Sequence, residues 1–459
     1  MPATHGDPYE RLYARRVGTL RSSAMRDLMA VTQRPEVISL AGGLPDTKAF
    51  PADLLARITA EVVEEHGPRA LQYGPTEGLD ELRHAIAGLM AEDGMTVGLR
   101  ELIVTTGGQQ AIDLVCRVLI DPGDAILAEG PTYPGAVPVF SACGADVHQI
   151  PVDGEGIRVD LVAAAYDRLA AEGRTPKLLY VIPTFQNPGG STLSLERRHA
   201  LVALAQERDL LIVEDDPYGR LRFEGEALPT LRALDGGRHV VYLGTLSKVF
   251  SPGVRVGWVN APHPILHRCN LLKQGGDLCT STLTQLVALR YLVDPRRDEV
   301  IDMLRGLYAR RRDAMVAALM EELPDATFTR PAGGLFIWVT LADGLDTTDL
   351  LAAALERDVA FVPGVAAYLD GRTGASSMRL NFSAMDEERI TAFRELVFRL
   401  RTDAGLTQAE LAGRMGTTQS AIARIENGGT RPTLERLARA VGQDLVVGVE
   451  AGLRNDTSV

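Results

Sequence analysis

The sequence predicts an α/β fold: a mainly parallel, helix-covered sheet, a smaller α+β unit after it, and an all-α segment at the C-terminal end. Three observations predict it. Five apolar runs between residues 102 and 243 alternate with stretches of helical period, the pattern of parallel strands buried on both faces. Polar residues stand just past the ends of these runs, where ligands collect in open α/β sheets. From residue 396 on, two short helical patterns meet at a glycine turn, which reads as a helix-turn-helix.

The totals narrow the possibilities. A chain of 459 residues is too long for one simple core and suggests roughly three domains. No apolar run is long enough to span a bilayer, so no membrane partner is expected. Met1 to Arg16 is polar and lacks an apolar signal core, which points to the cytoplasm. The four cysteines form no CxxC pair, so neither zinc nor a disulfide framework is indicated, and no metal is expected. The net charge is −12; from Leu396 on, eight Arg face seven Asp and Glu, so that segment is +1 and the rest is −13. The acidic body is a poor nonspecific nucleic-acid binder.

The elements follow in order. Residues 1–45 read as an arm, with a short helix near Ser22–Met29 and a glycine loop at Gly42-Gly43. Helices are predicted over 51–66 and 79–93, joined by a Gly/Pro loop that carries Tyr73. Leu102–Thr105 is a strand running through Thr106-Gly107-Gly108-Gln109-Gln110 into a helix. Its free N–H groups and dipole make a general anion site. The strand at Asp124–Ala128 leads to Tyr133, Lys177–Pro183 to Asn187, and Leu210–Glu214 to Asp215 and Tyr218.

His239–Leu243 leads to Thr245-Leu246-Ser247-Lys248, with Arg255 seven residues beyond the lysine. A lysine packed after a strand is partly desolvated, which lowers its pKa and makes the amine a nucleophile toward carbonyls. Thr245, Ser247 and Arg255 are donors suited to a phosphate monoester. A phosphate-bearing aldehyde, pyridoxal phosphate, would satisfy both halves. Alone, this stretch also reads as a solvated loop. After helices over 281–320, strands are predicted at 333–339, 359–362 and 377–382. Arg379 interrupts the last of these, and a buried Arg needs an anionic partner, either a structural or a substrate carboxylate.

Together these residues resemble the class I pyridoxal-phosphate aminotransferases of fold type I. Ser39-Leu40-Ala41-Gly42-Gly43-Leu44-Pro45 and Glu214-Asp215-Asp216-Pro217-Tyr218 are similar to the 2-aminoadipate/kynurenine branch. The resemblance covers about residues 10–395. It implies a large domain over 46–285, with a seven-stranded, mainly parallel sheet and helices on both faces. It further implies a small α+β domain over 286–395, completed by the arm, and a homodimer. By this resemblance Lys248 condenses with the cofactor aldehyde and moves the substrate Cα proton. Asp215 pairs with the pyridine nitrogen, Asn187 and Tyr218 bond the ring hydroxyl, and Tyr133 stacks on the ring. Gly108, Gln109, Thr245, Ser247 and Arg255 hold the phosphate, which Tyr73 of the partner subunit also reaches. Arg379 takes the substrate α-carboxylate near Asn187 and Gly43. Arg26 either reads a distal carboxylate or pairs on the surface with Asp27 or Glu36. One departure is Asn187-Pro188-Gly189-Gly190, where many members carry Thr or Ser after the proline. The implied reaction moves an amino group from an amino acid of 2-aminoadipate, aromatic or branched-chain type to a 2-oxo acid such as 2-oxoglutarate.

Residues 396–459 resemble the lambda-repressor-like (XRE) helix-turn-helix family through Leu406-Thr407-Gln408, Glu410-Leu411-Ala412, Gln419-Ser420, Arg424-Ile425-Glu426-Asn427-Gly428 and Arg431-Pro432-Thr433-Leu434. The resemblance implies binding of double-stranded DNA, with Gln419 and Ser420 facing base edges. Gln408, Thr418, Arg424 and Arg431 would contact phosphates or brace the recognition helix. Because the segment is only +1 and has no Lys, a protein-docking helical bundle remains the other reading. For the whole chain, the alternative to an enzyme is a regulator that senses cofactor or amino acid with little turnover. A lyase or decarboxylase on the same fold is a third reading.

Overall fold

The computed structural model describes residues 9–14, 37–323, 325–341, 345–355 and 359–384. The expectations for Arg26 and for Gln408, Thr418, Gln419, Ser420, Arg424 and Arg431 lie outside the described residues.

Along the chain, β1 (Ile38–Ser39) precedes the loop 40–45, α1 (Ala52–Ala70) and α2 (Asp80–Glu92). The α/β body follows: β2 (Leu102–Thr105), α3 (Gly108–Leu119), β3 (Ala125–Gly130), α4 (Val137–Cys143), β4 (Asp146–Asp153), β5 (Gly156–Ile157), α5 (Val159–Ala171), β6 (Leu178–Val181), α6 (Leu195–Arg208), β7 (Leu211–Asp215), α7 (Leu231–Asp235), β8 (Val240–Thr245) and β9 (Gly257–Asn260). Three helices, α8 (His263–Gly276), α9 (Thr282–Val293) and α10 (Arg297–Glu322), lead to β10 (Thr327–Phe328), β11 (Phe336–Thr340), α11 (Thr347–Leu355), β12 (Val359–Ala360), β13 (Val362–Pro363) and β14 (Ser377–Asn381).

The large sheet has the order β2-β9-β8-β7-β6-β3-β4-β5. The expected seven strands are present, and the two-residue β5 adds an eighth, antiparallel to β4. Strands β4, β3, β6, β7 and β8 run parallel. Only β9, between β2 and β8, runs against both of its neighbours. Strands β2, β3 and β6 are buried at every residue, which is why they read as continuous apolar runs. Strand β4 is mostly half-buried and contains Pro151, and β9 is four residues beginning with Gly. Neither carries a periodic apolar signal, so the sequence reading gives neither of them a residue range.

Elsewhere the structure corrects details of the reading. The helix expected to end at residue 66 breaks at His66 and resumes to Ala70. The single strand expected over 359–362 is two: β12 pairs with β1, whereas β13 joins the small antiparallel sheet β10-β11-β14-β13. The strand expected from Gly333 starts at Phe336, because Gly333 and Gly334 pack directly on Phe185.

Gly257 is where strand and turn come closest. A Cβ there would lie 2.7 Å from the Gly107 carbonyl carbon and 2.9 Å from the Gly108 nitrogen, both backbone. Only glycine lets β9 sit against the turn that opens α3. Gly257→Ala is therefore expected to cost about 1–3 kcal/mol by overpacking, read as a lower Tm in thermal unfolding. An unchanged Tm would show that the backbone yields there.

Candidate active site

The C-terminal ends of β6, β7 and β8 bring three polar groups to one place. Past the end of β8, Lys248 is half-buried and its Nζ donates to the Gly43 carbonyl at 2.6 Å. Burial lowers its pKa to about 8, helped by the positive charges of Arg379 and Arg255 and opposed by Asp215. Asp215 ends β7 and accepts from the Tyr180 hydroxyl at 2.6 Å. Burial pushes its carboxyl up to about 7, against the Tyr180 hydrogen bond.

Its acidic neighbours are engaged elsewhere. Glu214 accepts from the Leu231 and Arg232 N–H groups at 2.9 and 2.8 Å. Asp216 accepts from Gly219 N at 2.9 Å and the Tyr242 hydroxyl at 3.1 Å. Strand alternation turns Asp215 away from Glu214 and Asp216, and Asp215 is the carboxylate whose charge acts on Lys248.

Arg379, on β14, is fully buried. It donates to Asn187 Oδ1 at 2.9 Å and the Ala41 carbonyl at 2.6 Å, and its guanidinium lies 4.4 Å from the Phe336 ring centre. Its Nε has no partner among the described residues, and no described carboxylate pairs with it. Of the two partners open to Arg379, the structural carboxylate is not found. Asn187 in turn donates to the Tyr218 hydroxyl at 3.0 Å. Burial lowers the Arg379 pKa to about 10.

Beside Lys248 lies the anion cradle. Gly107 has φ +78°, and a Cβ there would fall 2.2 Å from the Arg255 guanidinium. Thr245 and Ser247 hydroxyls are 2.9 Å apart, and Arg255 donates to the Thr106 carbonyl at 3.2 Å. The twelve-residue α3 starts at Gly108 with no side-chain cap on its first N–H groups, so its N-terminus is open to an anion. Gln109 sends its side chain to the Gly135 carbonyl at 2.8 Å, leaving its backbone for that role. A Cβ on Gly135 would meet the Tyr133 ring at 2.4 Å, so glycine is needed beneath that ring.

A phosphate-bearing aldehyde with a basic ring nitrogen fits this set. The cradle matches its phosphate, Lys248 its carbonyl carbon and Asp215 its ring nitrogen, while the orphan Nε of Arg379 leaves a donor for a substrate carboxylate. No cluster of three potential metal ligands occurs among the described residues.

Tyr73 is not brought to this site; it is 78% exposed on this chain. Two contributors went unread. Tyr180 sits within its strand rather than past its end, and its only cue is a hydroxyl in the run Leu178-Leu179-Tyr180-Val181. Asn381, two residues after Arg379 on the same strand, donates to the Gly42 carbonyl and to the Leu44 carbonyl at 3.2 Å.

Residues 35–397 match the family "Aminotransferase class I and II", and the chain belongs to it. Residues 397–441 match the family "Helix-turn-helix". The chain is 42% identical over 384 residues to aromatic-amino-acid aminotransferase 1 of Thermococcus litoralis, covering 83% of this chain and 92% of that one. It is 38% identical over 386 residues to the 2-aminoadipate transaminase of Thermus thermophilus, covering 83% and 94%. The kynurenine aminotransferase of Pyrococcus horikoshii, solved with PMP, superposes with a TM-score of 0.80 at 40% identity, covering 85% of this chain and 96% of that chain. The protein is thus an aminotransferase of fold type I whose cofactor is pyridoxal phosphate. Among the described residues, no helix is long and apolar enough to cross a membrane.

Uptake of the aldehyde cofactor needs the neutral amine of Lys248. The uptake rate of the apo-protein, followed by absorbance, is expected to rise with pH through about 8. Arg379→Gln removes a charge that lowers this pKa, so it should move the inflection upward. An inflection that stays in place would show that Arg379 does not act on Lys248.

Proposed function

We propose that the protein moves an α-amino group from an amino acid of 2-aminoadipate, aromatic or branched-chain type to a 2-oxo acid such as 2-oxoglutarate. The observation that carries this reading is the unpartnered Nε of fully buried Arg379 in a site that also holds Lys248 and Asp215. Arg379 binds the substrate α-carboxylate and so fixes where Cα lies. Lys248, with its lowered pKa, takes the proton from Cα and returns it on the cofactor side. Asp215, held by Tyr180, keeps the ring nitrogen protonated. Asn187 and Tyr218 hold the ring hydroxyl, and Tyr133 covers the ring. Gly108, Gln109, Thr245, Ser247 and Arg255 hold the phosphate, with Gly43 beside the substrate. Pyridoxal phosphate supplies a carbonyl carbon for the amine and a ring that accepts the electron pair left at Cα. Relatives named for aromatic and 2-aminoadipate substrates support that donor class.

The same reading places the arm at 1–45, the cofactor domain at 46–285 and the small domain at 286–395, in a cytoplasmic homodimer in which Tyr73 of the partner subunit completes the phosphate site. Arg26 is assigned to a distal substrate carboxylate. The helix-turn-helix match supports a double-stranded DNA partner for the segment 396–459. Two-fold symmetry would then present paired recognition helices to a palindromic site. That match also favours a second reading, a regulator that senses cofactor or amino acid with little turnover. Steady-state assays with an amino-acid panel and 2-oxoglutarate separate the two, because a regulator stops after one half-reaction.

Lys248→Ala is expected to lower turnover by about 10⁴-fold or more. Retention of wild-type turnover would remove the lysine from the mechanism. Replacing Gln419 and Ser420 together by Ala is expected to leave transamination unchanged and abolish sequence selectivity in a selection from random duplex DNA. Equal enrichment by both proteins would show that this helix does not read bases.

A further inference from the structure

A second buried lysine lies beside the anion-binding turn. Lys273, on α8, is fully buried and donates to both carboxylate oxygens of Asp277, at 2.7 and 2.9 Å. The same carboxylate accepts from Thr106 Oγ1 at 2.8 Å and from Gln110 Nε2 at 2.7 Å. Gln110 Oε1 then accepts from the Thr106 N–H at 2.7 Å. Thr106 and Gln110 bracket Gly107, Gly108 and Gln109, the residues at the open N-terminus of α3. Asp277 therefore grips both ends of the cradle without entering it.

A carboxylate in this place fixes the turn, but its charge opposes a phosphate dianion across weakly screening protein. Lys273 removes that opposition. Burial holds the Lys273 amine below its ordinary pKa, and the hydrogen bonds and charge of Asp277 act against that shift. The ion pair makes the grip electrically neutral toward the phosphate.

We propose that Lys273 and Asp277 are positioning residues for the cofactor phosphate: Asp277 sets the geometry of the turn, and Lys273 cancels the charge this introduces. The proposal rests on the reading that this turn holds the phosphate. It predicts a loss selective for phosphate-bearing ligands.

The test is equilibrium binding of pyridoxal phosphate and of pyridoxal to the full-length apo-protein, with inorganic phosphate as competitor. Lys273→Met should weaken pyridoxal phosphate by about tenfold or more, the scale of one charge-assisted hydrogen bond, and leave pyridoxal unchanged. Adding Asp277→Asn should restore affinity to within about threefold of wild type by removing the stranded charge. Lys273→Gln keeps a donor to Asp277 and drops only the charge, so it carries the test if Lys273→Met does not fold. Equal losses for both ligands, or no restoration in the double variant, would reduce the pair to a structural ion pair and overturn the proposal. Wild-type protein that does not distinguish pyridoxal phosphate from pyridoxal, and does not respond to inorganic phosphate, would instead overturn the phosphate reading itself.

Discussion

Burial of the Arg379 guanidinium is the constraint on which the site depends. A charge removed from water must be surrounded by acceptors, and here those acceptors come from distant parts of the chain: Ala41 O, Asn187 Oδ1 and the Phe336 ring face. Strand β14 lies between β11 and β13, so Arg379 has paired backbone on both sides. The neighbouring groups hold the glycine loop, with Asn381 N donating to Leu40 O and Ser383 Oγ to Leu44 O. That loop supplies the Gly43 carbonyl that receives Lys248. The group suited to recognise a carboxylate therefore also helps to fix the resting position of the amine.

The coupling is electrostatic as well as steric. Burial first, and then the positive charge of Arg379, depress the Lys248 pKa. A carboxylate seated on the guanidinium would offset that charge and raise the affinity of the amine for a proton. Arg379 thus biases the Lys248 amine toward its neutral, nucleophilic form. Asp215 acts in the opposite sense. Its carboxyl is raised by burial against the charge of Lys248, and a protonated ring nitrogen would add a second positive partner.

What was legible in the sequence follows from this geometry. Asn187, Asp215, Tyr218 and Lys248 were readable because parallel strands end in one plane and polar residues just past those ends face a common crevice. The acidic triplet 214–216 was readable as a site but not as three roles; strand alternation and distant N–H groups made that division. Tyr180, Asn381 and Lys273 were not read because each acts through a partner that sequence proximity does not reveal. Lys273 shows the difficulty most clearly. Its ion pair with Asp277 is an ordinary i,i+4 helical pattern, and only the fold places that pair beside the turn at Thr106. Strands β4 and β9 escaped because one is half-open and the other opens on a glycine and ends on an asparagine.

The departure at Asn187-Pro188-Gly189-Gly190 also has a physical reason. Gly189 N donates to Gln186 Oε1 at 2.5 Å, and a Cβ on Gly189 would lie 2.8 Å from that same oxygen. The Gln186 amide nitrogen is anchored by the Pro131 carbonyl at 2.8 Å and by Glu129 at 3.2 Å, so the side chain has little room to retreat. Gly190, at φ +74°, would place a Cβ 2.8 Å from the Phe336 carbonyl. Two glycines are thus the fit for a loop whose hydrogen bonds come from Gln186 rather than from a hydroxyl at 189. Arg198 closes the loop from below, donating to Pro183 O, Thr184 Oγ1 and Leu193 O at 2.8, 2.8 and 2.9 Å. Asn187 is held between these supports with one amide group committed to Arg379 and Tyr218.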